Sequence, residues 1–126
     1  MRSPGCQGPN AWNARLQAVE PLPAKAIDAV GALSNWPAAR RNHWNRLLPA
    51  RAIENLCYVA AVNRIGEDGK GFAYSGDSQV LDFQGDSVLA AEAADGVFRV
   101  TLKAAELAAY RQRFPAHLDA DGFQLS

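Results

Sequence analysis

The 126-residue chain has little of the residue types that signal a disulfide scaffold, a metal site or a charged binding surface. It contains two cysteines and two histidines, and 13 basic residues balance 13 acidic ones, so the formal net charge is zero. Two cysteines do not make a disulfide framework. A neutral chain has no overall field to attract nucleic acid or an anionic membrane, so we expect neither as a partner.

Long apolar runs are also absent. No run approaches the length of about 18 residues that a membrane-spanning helix needs. The first 20 residues, MRSPGCQGPNAWNARLQAVE, lack the apolar centre of a secretory signal. We therefore expect a cytoplasmic protein with reduced thiols. Apolar residues make up 48% of the chain and charged residues 21%, as in a globular domain with one core.

What is present predicts a mixed α/β domain. HWNRLLPARAIENL (43–56) places apolar residues at three- and four-residue steps and predicts an amphipathic helix. Pro49 inside it predicts either a bend at Leu48 or a second helix that starts there. The predicted order is α-β-β-β-β-α, with strands at 57–63, 77–83, 87–92 and 96–102, a Gly-rich loop at 64–76, and a last helix carrying Leu107, Tyr110 and Phe114 before Pro115.

The N-terminal part is less regular. Residues 1–31 are rich in Pro, Gly, Ala and Asn and predict turns and extended connections, with a weak helical pattern at 25–30. We expect residues 1–33 to be poorly ordered and residues 34–126 to form the domain.

Neither cysteine has the surroundings of a nucleophile. A reactive thiol needs access and a lowered pKa, from a helix N-terminus or a nearby cation. Cys57 follows the C-terminus of the predicted helix, where the dipole has the wrong sign, and it opens a strand that is apolar on both faces. We predict that Cys57 is a small buried core residue. Cys6 lies in a Gly/Pro context and is predicted to be an exposed, inert thiol.

Other polar residues are predicted to be structural. His43 and His117 lack the paired spacing of metal ligands, so no metal site is predicted. RIGEDGKGF is neither a P-loop nor an EF-hand, and RRNHWNR is typical of a solvated helix face. Asn55 and Asn63 flank the buried strand and need hydrogen-bond partners.

Several motifs in this order resemble the nitrilase-superfamily carbon–nitrogen hydrolases, and within them the omega-amidase branch. The motifs are NWP, HW..LL.ARAIEN.CYV...NR.G, Y.GDS.V.D..G and YR.RFPA..DAD.F, which together cover about residues 34–123. The resemblance is to the C-terminal half of such an enzyme. It implies half of an α-β-β-α sandwich that dimerises through helices.

The resemblance also implies a chemistry. The family hydrolyses amides with a Cys nucleophile, a Glu general base and a Lys that stabilises the oxyanion. Omega-amidases act on terminal amides of small dicarboxylate monoamides, without a metal or organic cofactor. In the family, the Glu and Lys lie in the N-terminal half and the nucleophile precedes NWP in a stretch like Cys-Tyr-Asp-Leu-Arg-Phe-Pro. No such stretch occurs here, and neither Cys6 nor Cys57 matches it, so we assign no catalytic residue and expect the chain alone to be inactive.

Six residues of this chain match positions of the family that lie near the site. Those that the resemblance places along the substrate pocket are Asn35, Trp36 and Arg40, and Arg40 is expected to face a substrate carboxylate. Those that it places behind the site or at a subunit contact are Arg51, Glu54 and Asn55. Arg51 and Glu54 are also spaced to form an ion pair on a helix, and plain helix-surface roles are the alternative for these three.

Half of a sandwich exposes an apolar sheet face that its partner sheet would cover. We therefore expect the chain to form a homo-oligomer, to pair with a related subunit, or to be marginally stable. The resemblance starts abruptly near residue 34, as after a frameshift or a misassigned start; a genuine short paralogue is the alternative. In function, the alternative to part of an amidase is a non-catalytic α/β interaction module.

Overall fold

The computed structural model of the chain describes residues 28–119. These residues form six strands, two α-helices and two short 3-10 turns. In chain order they are β1 (Ala29–Ser34), a 3-10 turn (Ala38–Arg40), α1 (Arg41–Asn55), β2 (Tyr58–Asn63), β3 (Ile65–Glu67), β4 (Ala73–Ser75), β5 (Ser78–Leu81), β6 (Ser87–Glu92), α2 (Ala104–Arg113) and a 3-10 turn (Ala116–Leu118). The mixed α/β class predicted from the sequence is confirmed.

The four longer strands form one sheet in the order β1-β2-β5-β6. β1 runs parallel to β2, which requires a crossover, and α1 provides it. β5 and β6 are antiparallel to their neighbours, and the turn between them confirms the predicted hairpin. This topology brings the carboxyl ends of β1 and β2 to the same edge as the amino end of β5. We call this edge the carboxyl edge of the sheet.

Helix α1 covers one face of the sheet. Its buried residues, Trp44, Leu48 and Ala52, recur every four residues and form one stripe. The stripe packs into a core cluster with strand residues, among them Val59 and Ala61 of β2. The amphipathic helix predicted from the sequence is therefore confirmed.

The helix continues through a proline and ends sharply. Pro49 lies inside α1, so the alternative of a second helix starting there is wrong. Leu56 follows the helix with a left-handed backbone (φ 47°). This conformation lets the Cys57 N–H donate to the Ala52 carbonyl at 3.2 Å, which ends the helix and directs the chain into β2.

Helix α2 packs on the opposite face, at one end of the sheet. Tyr58 precedes Val59 in β2, so the two side chains point to opposite faces. Tyr58, Phe83 and Leu107 form a second buried cluster, against which Tyr110 packs. The Phe83 ring lies 5.4 Å from the Tyr58 ring and 4.8 Å from the Tyr110 ring, between centroids. This aromatic contact anchors the last helix.

Two elements differ from the prediction in the first two-thirds of the domain. Ala29 and Val30, assigned to a weak helical pattern, begin strand β1, because the chain there pairs residue by residue with β2. The Gly-rich segment predicted as a loop contains the β3–β4 hairpin instead. Gly66 and Gly71 allow it, since both adopt positive φ.

The predicted strand at 96–102 is not formed, which corrects its assignment from alternation alone. Residues 97–102 lie outside any strand, and Val97 is fully exposed. A strand needs a neighbour to accept its backbone hydrogen bonds, and within 28–119 none pairs with this segment. The apolar and polar residues of this segment alternate as in a strand, but no strand among residues 28–119 pairs with it.

The first strand starts before residue 34, where the domain was predicted to begin. β1 starts at Ala29, so residues 29–33 belong to the sheet. The prediction that the N-terminal segment is poorly ordered concerns residues that, before residue 28, lie outside the described part of the chain. Over residues 28–119, no helix has the length and apolar character required to cross a membrane.

Candidate functional site

The carboxyl edge of the sheet gathers polar side chains from four elements. β1 leads into the loop Asn35–Pro37, and β2 ends in Asn63. The turn Gly76–Asp77 lies between β4 and β5 on the same edge. Because ligand sites of α/β folds form beyond the carboxyl ends of parallel strands, this edge is the candidate site.

Asn63 is the central hydrogen-bonding residue of the edge. It is buried, with 6% of its surface exposed. Its Oδ1 accepts from the Trp36 N–H at 2.7 Å, and its Nδ2 donates to the carbonyl oxygens of Trp36 (3.1 Å) and Gly76 (2.8 Å). Ser78 Oγ accepts from the Asn63 N–H at 2.9 Å. The prediction that Asn63 needs partners is confirmed, and they include both loops of the edge.

Asp77 holds the start of helix α1 against this edge. Its carboxylate accepts two hydrogen bonds from Arg41, from Nε at 2.6 Å and from Nη2 at 2.8 Å. Its backbone carbonyl accepts from Trp44 Nε1 at 2.8 Å. The hydrogen bond from Arg41 lowers the pKa of Asp77, and burial opposes that shift only in part. The carboxylate is therefore charged at neutral pH.

The backbone of the Gly76–Asp77 turn explains why these residue types are needed. Gly76 has φ +73°, and a Cβ there would lie 2.6 Å from the Glu92 carbonyl oxygen. Only glycine fits such a position. Asp77 has φ 57°, a left-handed conformation that aspartate tolerates better than most residues. The turn points the Gly76 carbonyl at Asn63 and the Asp77 carboxylate at Arg41.

The structure brings the three predicted pocket residues together on one loop and turn. Asn35 and Arg40 are exposed, and Trp36 is half-buried against Trp44, with ring centroids 5.8 Å apart. Trp36 Nε1 donates to the Arg40 carbonyl at 2.7 Å, which fixes the backbone of that turn. Within residues 28–119 the Arg40 guanidinium has no hydrogen-bond or ion-pair partner. The neighbouring Arg41 is held by Asp77. Among the described residues, Arg40 is therefore the arginine of this turn whose charge is available to a ligand.

Cys57 lies away from this edge, at the start of β2. It is a free thiol with no exposed surface. Burial raises the pKa of the Cys57 thiol, more than the nearby Arg111 lowers it. The predicted burial is confirmed, and a buried thiol with a raised pKa lacks both requirements of a nucleophile. Cys6 lies outside the described residues.

Arg51, Glu54 and Asn55 lie near the C-terminal end of α1, away from the carboxyl edge. Arg51 and Glu54 form the ion pair expected from their spacing. Asn55 Nδ2 donates to the Arg51 carbonyl at 2.8 Å. Both of these contacts lie within the helix, and a role of the three residues in subunit contact stays a prediction. In residues 28–119, no group of three His, Cys, Asp or Glu side chains is placed to bind a metal.

Sequence reasoning missed Arg41 and Asp77 as members of the edge. The basic stretch RRNHWNR predicts a solvated helix face for Arg41, and the pattern of residues 77–83 predicts only a strand for Asp77. The sequence pattern that could have identified them is YSGDS (74–78). A glycine followed by an aspartate just before a strand predicts a turn with left-handed backbone conformation. A carboxylate that is buried in such a turn needs a partner, and helix α1 offers arginines, of which Arg41 is the one used.

The chain matches known proteins over most of its length. The model of the carbon-nitrogen hydrolase family matches residues 12–112. The omega-amidase YafV of Escherichia coli strain K12 is 49% identical over 94 residues, which are 74% of this chain and 37% of that protein. A 2-oxoglutaramate amidase of Bacillus subtilis is 35% identical over 95 residues, 75% of this chain and 36% of that protein.

Solved structures agree with these matches. XC1258 of Xanthomonas campestris, a CN-hydrolase superfamily protein, superposes with a TM-score of 0.75 at 50% identity, covering 79% of this chain and 38% of that one. Nit3 of Saccharomyces cerevisiae shares the fold, with a TM-score of 0.63 at 23% identity, over 71% of this chain and 33% of that one. The chain thus spans somewhat more than a third of the relatives that it matches. The family match begins at residue 12 and so extends further towards the N-terminus than the motifs, which start near residue 34.

Proposed function

The chain belongs to the carbon–nitrogen hydrolase family and carries part of the nitrilase fold; from this premise we propose that it contributes one wall of the site of an omega-amidase-like hydrolase. The substrates would be terminal amides of small dicarboxylate monoamides, which carry a carboxylate at the other end. The catalytic Glu, Lys and Cys would come from a segment that this chain does not provide. On this proposal the isolated chain binds such amides weakly and does not hydrolyse them.

The observation that supports this substrate class is that the Arg40 guanidinium has no hydrogen-bond or ion-pair partner among residues 28–119. It is exposed at the carboxyl edge, on a backbone held by the Trp36 indole at 2.7 Å. A guanidinium matches a carboxylate in geometry as well as charge. Arg41, the neighbouring cation, is bound to Asp77 at 2.6 Å and is not free for a substrate. A substrate carboxylate would therefore be recognised by Arg40, with Asn35 beside it.

A chimera tests the proposal. Residues of this chain replace the 94 aligned residues of the Escherichia coli omega-amidase, and ammonia release from succinamate and 2-oxoglutaramate is measured. We expect turnover by the chimera and none by the isolated chain. A folded chimera that is inactive on both amides would refute the function. Turnover by the isolated chain that Cys57→Ser or Cys6→Ser abolishes would instead place a nucleophile in this chain.

Removing the Arg40 guanidinium in the chimera should weaken substrate binding. We expect Arg40→Ala to raise KM for succinamate by about tenfold or more, with a smaller change in kcat, because a lost ground-state contact affects binding first. Arg46→Ala is the matched control, since Arg46 is an exposed arginine of α1 that bonds Asn42 at 2.9 Å. An unchanged KM for Arg40→Ala would show that Arg40 does not face the substrate carboxylate.

A second candidate function, a non-catalytic interaction module, is favoured by the open face of the sheet. Leu33 of β1 and Val62 of β2 are cross-strand partners, so they share one face. Leu33 is 86% exposed and Val62 54% exposed. Adjacent apolar side chains left open on a sheet face mark a surface that another chain covers. The partner would be a second copy or a related subunit.

A charged residue on this face should prevent such pairing. We expect the full chain to elute as an oligomer in size-exclusion chromatography with light scattering, and Leu33→Lys to elute as a monomer. Leu118→Lys is the control, because Leu118 is 70% exposed on a 3-10 turn. A wild-type chain that is monomeric and resists dilution would contradict the interaction module.

A further inference from the structure

The side-chain amide of Asn63 satisfies three backbone groups that belong to different loops. It accepts a hydrogen bond from the Trp36 N–H at 2.7 Å and donates one to the Trp36 carbonyl at 3.1 Å, so it binds both backbone polar groups of that residue. Its other donation, at 2.8 Å, reaches Gly76. No other amino-acid side chain of this size offers one acceptor and two donors in that arrangement.

These bonds connect the loop that carries Arg40 to the rest of the carboxyl edge. Trp36 is fixed on its backbone by Asn63, and its indole in turn fixes the Arg40 carbonyl at 2.7 Å. Gly76 leads directly into Asp77, which binds Arg41 and Trp44. The backbone before Arg40 is therefore held by the Asn63 amide, and the start of α1 after it is held by Asp77, whose neighbour Gly76 the same amide binds.

We propose that Asn63 is a positioning residue that holds the Trp36–Arg40 turn in the orientation required to present the Arg40 guanidinium to the substrate. The proposal rests on the proposed function for its kinetic part and on the hydrogen bonds for its structural part. Asn63 itself touches no reacting atom. It acts through the backbone of Trp36.

Asn63→Asp separates positioning from mere space filling, because the two side chains have the same shape. The substituted carboxylate keeps the acceptor for the Trp36 N–H, but it faces the Trp36 and Gly76 carbonyls with a second acceptor instead of a donor. Two carbonyl oxygens near a buried carboxylate disfavour its charged form. Lowering the pH protonates the carboxyl group and restores one donor, so the defect should be reversible by acid.

The Trp36–Trp44 pair supplies the readout in the full chain. The two indoles lie 5.8 Å apart at an interplanar angle of 43°, so they should couple and give a circular-dichroism signal that depends on their orientation. We expect Asn63→Asp to lose most of this signal at pH 9, where the introduced carboxyl group is charged, and to regain part of it on acidification while the chain is still folded. Trp36→Phe identifies the signal as that of the pair. Gln84→Glu, the same amide-to-acid change on an exposed residue of the β5–β6 turn, should leave it unchanged.

Two outcomes would overturn the proposal. One is a tryptophan signal in Asn63→Asp that stays at the wild-type level up to pH 9; the other is a loss that acidification does not reverse even in part, as expected from general destabilisation. If Asn63→Asp does not fold, Asn63→Ser, which keeps one donor and one acceptor, should retain a reduced signal.

Kinetics in the chimera separate this proposal from the proposed function. We expect Asn63→Asp to raise KM for succinamate by about tenfold, with a smaller loss of kcat, and Gln84→Glu to change neither. An inactive chimera together with the acid-reversible tryptophan signal would refute the amidase function but support the role of Asn63 in holding the Trp36–Arg40 turn. An active chimera in which Asn63→Asp keeps the wild-type KM would refute the positioning role alone.

Discussion

Replacing Trp44 by alanine is expected to lower the free energy of unfolding by about 4 kcal/mol, the typical cost of emptying a buried aromatic site. Trp44 is 2% exposed and belongs to the main core cluster. It also connects two elements, because its indole N–H donates to the Asp77 carbonyl at 2.8 Å and its ring packs on Trp36. The substitution therefore removes core packing and a link between α1 and the carboxyl edge.

Trp44→Phe separates these two contributions. It keeps an aromatic ring in the core but leaves the Asp77 carbonyl without its donor, for which we expect a loss of about 1 to 2 kcal/mol plus a smaller cavity term. Urea unfolding followed by far-UV circular dichroism measures both variants. A loss for Trp44→Ala that is no greater than that for an exposed apolar residue, such as Leu47→Ala, would contradict the placement of Trp44 in the core.

Asp77→Asn is expected to lower the free energy of unfolding by about 2 kcal/mol at pH 7, as for charge-assisted hydrogen bonds that are partly buried. Asparagine tolerates the left-handed backbone of the turn, so the change tests the carboxylate and not the backbone. The asparagine Oδ1 can accept one bond from Arg41, but its amide nitrogen faces the second Arg41 donor. The bidentate contact is therefore lost.

The effect of Asp77→Asn should depend on pH in a defined direction. Arg41 lowers the pKa of Asp77 in the folded state, so this carboxylate contributes stability above its unfolded pKa of about 3.9 and loses it as the pH falls through the lower folded value. The difference between wild type and Asp77→Asn should therefore be constant from pH 7 to about pH 5 and shrink below about pH 4.

A second carboxylate, Asp68, also contributes to the pH dependence of the wild-type chain. The backbone N–H of Phe72 lowers its pKa too, so the wild type has a second acid-sensitive carboxylate in the β3–β4 hairpin. That contribution is present in both proteins and cancels in the difference between wild type and Asp77→Asn. A difference that grows on acidification, or that is absent at pH 7, would contradict a stabilising role of the Arg41–Asp77 ion pair.

The sequence predicted elements whose pattern is local and missed those that depend on pairing. Helix α1 and the β5–β6 hairpin were predictable, because their signals are local. The helix shows apolar residues at three- and four-residue steps, and the hairpin shows a turn at QGD. Strand β1 was not, since AVGALS is weakly patterned by itself and becomes a strand by pairing with β2. Residues 97–102 show the converse: they alternate well, yet they have no neighbouring strand among residues 28–119.

The candidate site was predictable in part for the same reason. Resemblance to a family placed Asn35, Trp36 and Arg40 near the substrate, and the fold does bring them to one edge. The Asn63 contacts join residues 27 and 13 positions apart, and the Arg41–Asp77 pair joins residues 36 apart. Such contacts depend on the sheet order, which the pattern of a single sequence does not reveal. Burial of Cys57, in contrast, followed from its local surroundings.

Recognition of the substrate by the carboxyl edge is tested most directly by a titration of the ¹⁵N-labelled full chain with succinamate, followed by NMR. We expect chemical-shift changes confined to the carboxyl edge, in the amides of Asn35 to Arg41 and around Asn63, and their loss in Arg40→Ala. Succinamide, which lacks the carboxylate, should give much smaller changes. Equal shifts with succinamide, or shifts centred on α2 and the open face of the sheet, would contradict the claim that this edge recognises the substrate.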